Sequence, residues 1–291
     1  LTSNIATTTN LGTIKVGTNL TINPTTGVLS SVATGESRIN QRIITISPDA
    51  GTADYQSITT AINNAIGTPG NYDGGSISSV YGEPTLTNQY ILLVGPGEYT
   101  EKVNLPPYVN LVGEGMNRTF VKLSTGSSSE SLGALITAGT NCCIENLTLN
   151  INSNGQNNAT GIYSNSNNNI YIKDVEIIDS GSASTSNTIG IYLSKGSNHV
   201  IDNVKTTFDL GSGSVIGQFI NNVQNIDIKN SNTAITSNST NNYGIILDNI
   251  VNDNISHYHN FLKNNKLEVN SANNNYGIYH NNAESSINNS T

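Results

Sequence analysis

The sequence predicts an all-β protein, a right-handed parallel β-helix with a short N-terminal capping helix and an extended N-terminal β arm. The first observation behind this is a repeat. Units that open on glycine and continue with apolar or aromatic residues recur as GALIT at Gly133, GIYSN at Gly161, GIYLS at Gly190, GQFIN at Gly217, GIILD at Gly244 and GIYHN at Gly277, at intervals of 28, 29, 27, 27 and 33 residues. A fixed period of this size marks a stacked architecture. The second is that a further β-rich run follows each unit after an Asn-rich turn: CIENLTLN from Cys143, YIKDVEII from Tyr171, VIDNVKTTF from Val200, IDIKNSNTAI from Ile226 and FLKNNKLEV from Phe261. Two or three strands per period make one coil. The third is that strand-like runs such as Ile91 to Val94, Tyr108 to Val112 and Thr119 to Leu123 are separated only by Gly/Pro breaks, which leaves no room for crossover helices.

Composition agrees. Charged residues are 11% of the 291 and hydrophobic ones 35%, so solubility falls to Asn, Ser and Thr. Asn and Gly also tolerate the left-handed backbone that tight turns between short strands demand.

Residues 1–40 read as an extended arm, with turns at Gly17 to Asn19 and Asn23 to Gly27. The arm is too short and polar for a core of its own, so it is expected to order only against neighbouring chains or the β-helix, or to act as a flexible linker. Residues 41–89 supply the cap strand (QRIITIS), a helix and a Gly-rich excursion. The helix is expected over Tyr55 to Ile66, with Tyr55, Ile58, Ala61, Ile62, Ala65 and Ile66 on one face and Asp54 or Thr52 as N-cap. Its role is to cover the open apolar end of the first coil. The excursion carries Tyr72 and Tyr81, which contact sugar or a neighbour, or pin the loop. Residues 90–291 form the β-helix of six to eight coils, estimated as roughly 200 residues over about 28 per coil. Isoleucines and valines at alternate positions stack inside, and Asn146, Asp174, Asn203 and Asn230 fall at matching turn positions where side chains bond one another from coil to coil.

Two segments, ISPDAGTADYQSITTAINNAI (Ile46 to Ile66) and YILLVGPGEYTEKVNLPPYVNLVGEGMNRTFVKL (Tyr90 to Leu123), resemble the opening of the pectin-lyase-like right-handed β-helix superfamily, and within it the first coils of pectin methylesterases. The resemblance implies the fold. It does not carry the chemistry: the esterase motifs Q-A-x-A-L, Q-D-T-L, D-F-I-F-G and L-G-R-P-W are absent, and the only arginines, Arg38, Arg42 and Arg118, precede the coils that would hold the site. The Arg base of pectate lyases has no counterpart after Arg118, although Lys173, Lys195 and Lys205 remain, and the polygalacturonase pattern is missing. In the arm, GTIKVGTNLTINPTTGVLS resembles short β-repeats of phage and large-virus fibre and tail proteins, which implies small units packed around a three-fold axis.

Candidate chemistry is sparse. Asp174, Asp179, Asp202 and Asp209, with Glu176 and Asp227, lie in successive coils and could line a lateral acidic strip for glycoside hydrolysis, or stand as solvated outward carboxylates. His257 and His259 alternate as a metal pair would, without a matching third ligand, so no metal or cofactor is expected. The adjacent Cys142 and Cys143 cannot form a disulfide framework; one is expected in the core and one outside. A net charge of −8 without a Lys/Arg cluster argues against nucleic acid, and no apolar run is long enough to span a membrane. With no initiator Met or signal segment, and repeat-like sequence at the end, the chain is expected to be part of a longer polypeptide.

The expected function is a virion surface or extracellular fibre or spike, non-catalytic, probing host glycan. Self-association as a homotrimer and attachment to other virion proteins through the arm are its expected partnerships. A polysaccharide-degrading enzyme and a cellular adhesin or surface-layer protein are the alternatives.

Overall fold

The computed structural model describes residues 20–22, 29–31, 42–66, 83–123, 133–151, 158–179, 187–210, 214–237, 241–250, 260–263, 266–270, 274–281 and 285–288. The chain divides into two compact units, 1–40 and 41–291. In the first, β1 (Leu20–Ile22) and β2 (Leu29–Ser31) pair antiparallel, with Leu20 opposite Ser31 and Ile22 opposite Leu29.

The second unit opens with β3 (Arg42–Ile46) and α1 (Ile58–Ala61), which continues as a π-helical turn over Ile62–Ile66. Successive coils follow: β4 (Tyr90–Val94), β5 (Gly97–Thr100) and β6 (Val103–Leu105); β7 (Val109–Gly113), β8 (Thr119–Lys122) and β9 (Gly133–Ala138); β10 (Cys143–Asn150) and β11 (Asn158–Asn165); β12 (Tyr171–Asp179) and β13 (Asn187–Ser194); β14 (Ser197–Leu210) and β15 (Val215–Asn221). The last are β16 (Gln224–Lys229), β17 (Asn232–Ser237) and β18 (Asn241–Asp248); β19 (Asn260–Lys263), β20 (Lys266–Asn270) and β21 (Asn274–Asn281); and β22 (Ser285–Asn288).

These strands pair in parallel into three walls. The first runs β3, β4, β7, β10, β12, β14, β16, β19, β22, and the third runs β6, β9, β11, β13, β15, β18, β21. The second is made of β5, β8, the latter halves of β10, β12 and β14, and then β17 and β20. Connections between parallel strands of one twisted sheet run right-handed, so this is a right-handed parallel β-helix.

Register explains the core. Ile44, Leu92, Leu111, Ile144, Ile172, Ile201 and Ile228 are partners in one column of the first wall, and all are buried. Each such side chain contributes about 1.5–3 kcal/mol by leaving water. Because the side-chain period is two, a slip of one residue would turn the whole column outward.

The corners are left-handed. Tyr108, Asn141, Asn169, Asn198 and Asn225, aligned at the entry to the first wall, have φ of 63°, 57°, 56°, 58° and 55°. Between the first and second walls Asn146, Asp174, Asn203 and Asn230 have φ of 59°, 51°, 52° and 52°. Asn bears this conformation at low cost because its short amide can bond locally. Here the amides bond along the stack: Asn169 Nδ2 donates to Asn141 Oδ1 at 2.6 Å and Asn225 Nδ2 to Asn198 Oδ1 at 2.8 Å. The expected bond between matched turn positions is present at Asn203, whose Nδ2 donates to Asp174 Oδ1 at 2.5 Å, whereas Asn230 Nδ2 donates at 2.9 Å to Asp202, the residue before the matched Asn203. Tyr108 was expected to open a strand; its left-handed φ makes it the corner, and β7 starts at Val109.

The glycine that marks the repeat has a different reason. Gly161, Gly190 and Gly217 are not left-handed. A Cβ at Gly217 would lie 2.5 Å from the Gly244 carbonyl oxygen and 2.6 Å from Thr233 Cγ2, and one at Gly190 would lie 2.4 Å from the Gly217 oxygen and 3.1 Å from Thr206 Cγ2. Gly190 and the buried Ile191 thus both face the interior, and the strand bends between them.

The cap is shorter than expected, and the reason is its N-terminus. Ser57, not Asp54 or Thr52, is the N-cap, its hydroxyl accepting from Thr60 N at 3.2 Å. Asp54 instead accepts from Thr45 N and Oγ1 at 2.8 and 2.7 Å, and Tyr55 is bridged to Ile46 as extended chain. Glu101, from the first full coil, accepts from Ser57 Oγ, Ile58 N and Thr59 N at 2.9, 2.9 and 2.8 Å. These bonds satisfy the first turn's free donors and fix where the helix begins. Ile58, Ala61, Ile62, Ala65 and Ile66 are buried in the same core cluster as the coils, so the helix does close the apolar end.

Candidate functional site

Function on a β-helix falls to the outward positions, and the walls differ in what they present. On the first wall Glu145, Lys173, Asp202 and Lys229 are register partners in one outward column. Signs alternate over these four strands, where opposite charges in neighbouring strands attract, and the register then continues from Lys229 to Lys263 in β19, a like charge. Lys229 lies 3.2 Å from Asp227 and 3.9 Å from Asp202, and Lys173 lies 3.5 Å from Asp174. The charge of Asp174 raises the Lys173 pKa, and the hydrogen bond to Asp227 raises that of Lys229. Tyr171 stands in the neighbouring column between Cys143 and Val200, its phenol pKa raised by burial.

The six carboxylates read from the sequence separate. Asp174 sits at the left-handed corner with its Asn203 partner. Asp202 and Asp227 share Lys229. Glu176 opens the second wall and is paired with Lys205 at 2.5 Å, only 9% of its side chain exposed. Asp209 is exposed near the end of β14. Asp179 departs from the outward strip: it is 1% exposed, and its column continues as Phe208 and Ile235 inside the coil. The period-two alternation from buried Val175 and Ile177 puts it there.

His257 and His259, like Tyr72 and Tyr81, lie outside the described residues. His199 is buried between Ile170 and Ile226, its Nδ1 accepting from Ile170 N at 3.3 Å, and burial pulls its pKa down to about 4. Cys142 is buried and Cys143 half-buried, as expected for neighbours on opposite faces; burial pushes their thiols up to about 11 and 12, so neither ionises near neutrality. Among the described residues no group of three His, Cys, Asp or Glu could hold a metal, and no helix is long and apolar enough to cross a membrane.

The third wall carries what the sequence reading missed. Tyr163, Tyr192, Phe219, Ile246 and Tyr279 are partners in one outward column. Tyr192 and Phe219 stack with centroids 4.8 Å apart and planes 5° from parallel. Across the glycine bend, Ile189, Ile216, Tyr243 and Tyr276 form a second column, with Tyr243 and Tyr276 stacked at 5.0 Å and 8°. Tyr279 meets both of these edge-on at 5.9 Å. Stacked and edge-to-face rings at such distances attract by about 0.5–1.5 kcal/mol per pair. The signal was legible in the apolar or aromatic residue two places after the repeat glycines from Gly161 onward; Gly133 does not belong to that series, since it pairs with Ala159 and the buried Leu135 stands opposite Gly161.

A parallel β-helix with ladders on its outer walls is the class these observations define. No protein-family model matches the sequence, and no curated protein matches it either. Similar solved structures include a pectin methylesterase of Erwinia chrysanthemi, 14% identical over 84% of this chain and 90% of that one with a TM-score of 0.38. A carrot pectin methylesterase is 11% identical over 85% of each chain with a TM-score of 0.41. The catalytic domain of an α-1,3-glucanase is 13% identical over 86% of this chain and 69% of that one with a TM-score of 0.36.

Proposed function

We propose that this protein is a non-catalytic display scaffold on a virion or other extracellular surface, a fibre or spike segment that self-associates through its arm and meets host glycan with its coils. The observation that carries the reading is the fate of the ionisable side chains. Acid–base catalysis needs a carboxyl with a raised pKa near one that stays ionised, converging on a substrate cleft. Here Asp174, Asp202, Glu176 and Asp227 are each held by a lysine or an amide of a neighbouring coil, and Asp179 is inside. They serve the stack. The uncharged entry corner of Asn141, Asn169, Asn198 and Asn225 offers weak hydrogen bonds of the kind sugar hydroxyls accept, and the resemblance of GTIKVGTNLTINPTTGVLS to viral fibre repeats supports the surface setting.

The test has two parts. Light scattering on residues 1–291 and on a chain starting at Gln41 is expected to give a trimer that weakens without the arm; a monomer in both would sink the fibre reading. A glycan array read alongside polysaccharide degradation assays is expected to show retention without turnover. Turnover abolished by Asp174→Asn or Asp202→Asn would establish the enzyme instead.

A further inference from the structure

We infer that the outer face of the third wall is a self-association surface, on which the same wall of a second copy of this chain packs; this deepens the self-association part of the reading above.

Three features of the wall point to a copy of itself. First, its two outward columns carry no charge over the coils from Tyr163 to Tyr279 except Asp248 at the margin, which accepts from Asn281 Nδ2 at 2.7 Å. The other walls are laced with ion pairs, Lys205 with Glu176 and Lys229 with Asp227 and Asp202. Burying those would strip water from charges at a cost their attraction does not regain, whereas identical neutral surfaces meet without repulsion.

Second, two pairs of rings, Tyr192 with Phe219 and Tyr243 with Tyr276, have spent their faces on one another, while Tyr163 is tilted 47° to Tyr192 and Tyr279 stands at 72° and 73° to Tyr243 and Tyr276. With Tyr192 and Phe219 only 5° from parallel, and Tyr243 and Tyr276 only 8°, the faces look along the stack and the edges look outward. A sugar packs its C–H surface on a ring face, so these four stacked rings are poorly made for a polysaccharide. A protein surface that fills the gaps between ring edges suits it. Tyr276 and Tyr279, 39% and 41% exposed, are the aromatic type that dominates the cores of protein interfaces.

Third, the columns repeat at one strand spacing, about 4.8 Å. A partner with the same repeat can engage several coils in the same way at once. This chain presents such a surface itself.

The experiment is dilution-dependent light scattering on residues 1–291 with Phe219→Glu and, separately, Ile246→Glu, each checked for native circular dichroism. The expected result is a dissociation midpoint raised at least about 30-fold, the factor that corresponds to a hot-spot side chain. Lys229→Ala on the first wall should leave it in place. Independently, nitration of Tyr276 and Tyr279 in the unaltered protein should be slow when associated and fast on dilution. An unchanged midpoint in folded variants, or nitration indifferent to dilution, overturns the inference while leaving the arm-held fibre intact. Loss of glycan binding at an unchanged midpoint makes this wall the glycan face and overturns it too. A monomer at every concentration removes both.

Discussion

Where the first wall gives way to the second, the backbone passes through the left-handed region at Asn146, Asp174, Asn203 and Asn230. Where the third wall bends, at Gly161, Gly190 and Gly217, it does not. The two columns repeat at nearly the same interval, yet they solve different problems. At the corner the problem is a dihedral angle, and an amide answers it while also bonding the next coil. At the bend the problem is volume, because the carbonyl of the following coil occupies the space a Cβ would need. Thus Asn supplies the unusual conformation and Gly supplies the close approach, which reverses the usual expectation for these residues.

Exchanging the residues is the sharpest way to break that comparison. Gly217→Ala should cost about 3 kcal/mol or more, since the opposing atom is backbone and cannot move aside, and Gly217→Asn should be no milder. A thermal melt within a few degrees of the unaltered protein would refute the steric account. Next in size is a pH effect at the first corner, beside Asn198. The His199 imidazole, with its pKa near 4 in the fold, stays neutral where the unfolded chain takes a proton at its ordinary value near 6.5. Stability is therefore full above pH 6.5 and falls toward pH 4, by about 3 kcal/mol at 1.36 kcal/mol per pKa unit. Urea midpoints at pH 7, 5.5 and 4 should show this fall, and His199→Leu should flatten it; identical slopes in the two proteins would count against it.

At the other corner Asn203→Ala should cost about 1–2 kcal/mol, combining left-handed strain with the lost bond to Asp174. Asn203→Gly should cost less, about 1 kcal/mol or below, because only the bond is lost. If Gly proved worse than Ala there, the dihedral argument would fail. The smallest effect belongs to the exposed charge ladder: Lys229→Ala should shift the denaturation midpoint by less than about 1 kcal/mol and more at low salt than at high.

Much of this was legible beforehand. The repeat glycines and the runs from Cys143 and Tyr171 mark strands β10 and β12 almost to the residue, because in-register stacking forces each coil to restate the last. The Asn corners were legible for the same reason. The start of the cap helix was not, since it is decided by Glu101, 44 residues beyond Ser57. The fate of the carboxylates was not legible either: whether Asp179 faces in or out depends on counting alternation from the left-handed break at Asp174, and that break is a tertiary fact. The aromatic columns were visible as repeat positions, but their stacking follows from register.

That register also makes length a free variable. From Asp248 to its partner Asn281 the chain takes 33 residues where the three preceding steps of that wall, Asn165 to Ser194, Ser194 to Asn221 and Asn221 to Asp248, take 29, 27 and 27, and the pairing is undisturbed. The register of the wall is kept whatever the number of residues between its strands. Gain or loss of one whole coil would change the reach of the protein by a single strand spacing, about 4.8 Å, and present every other coil with the same neighbour as before. Such a chain can be retuned in extent by duplication alone, in small steps, with no redesign of its interior.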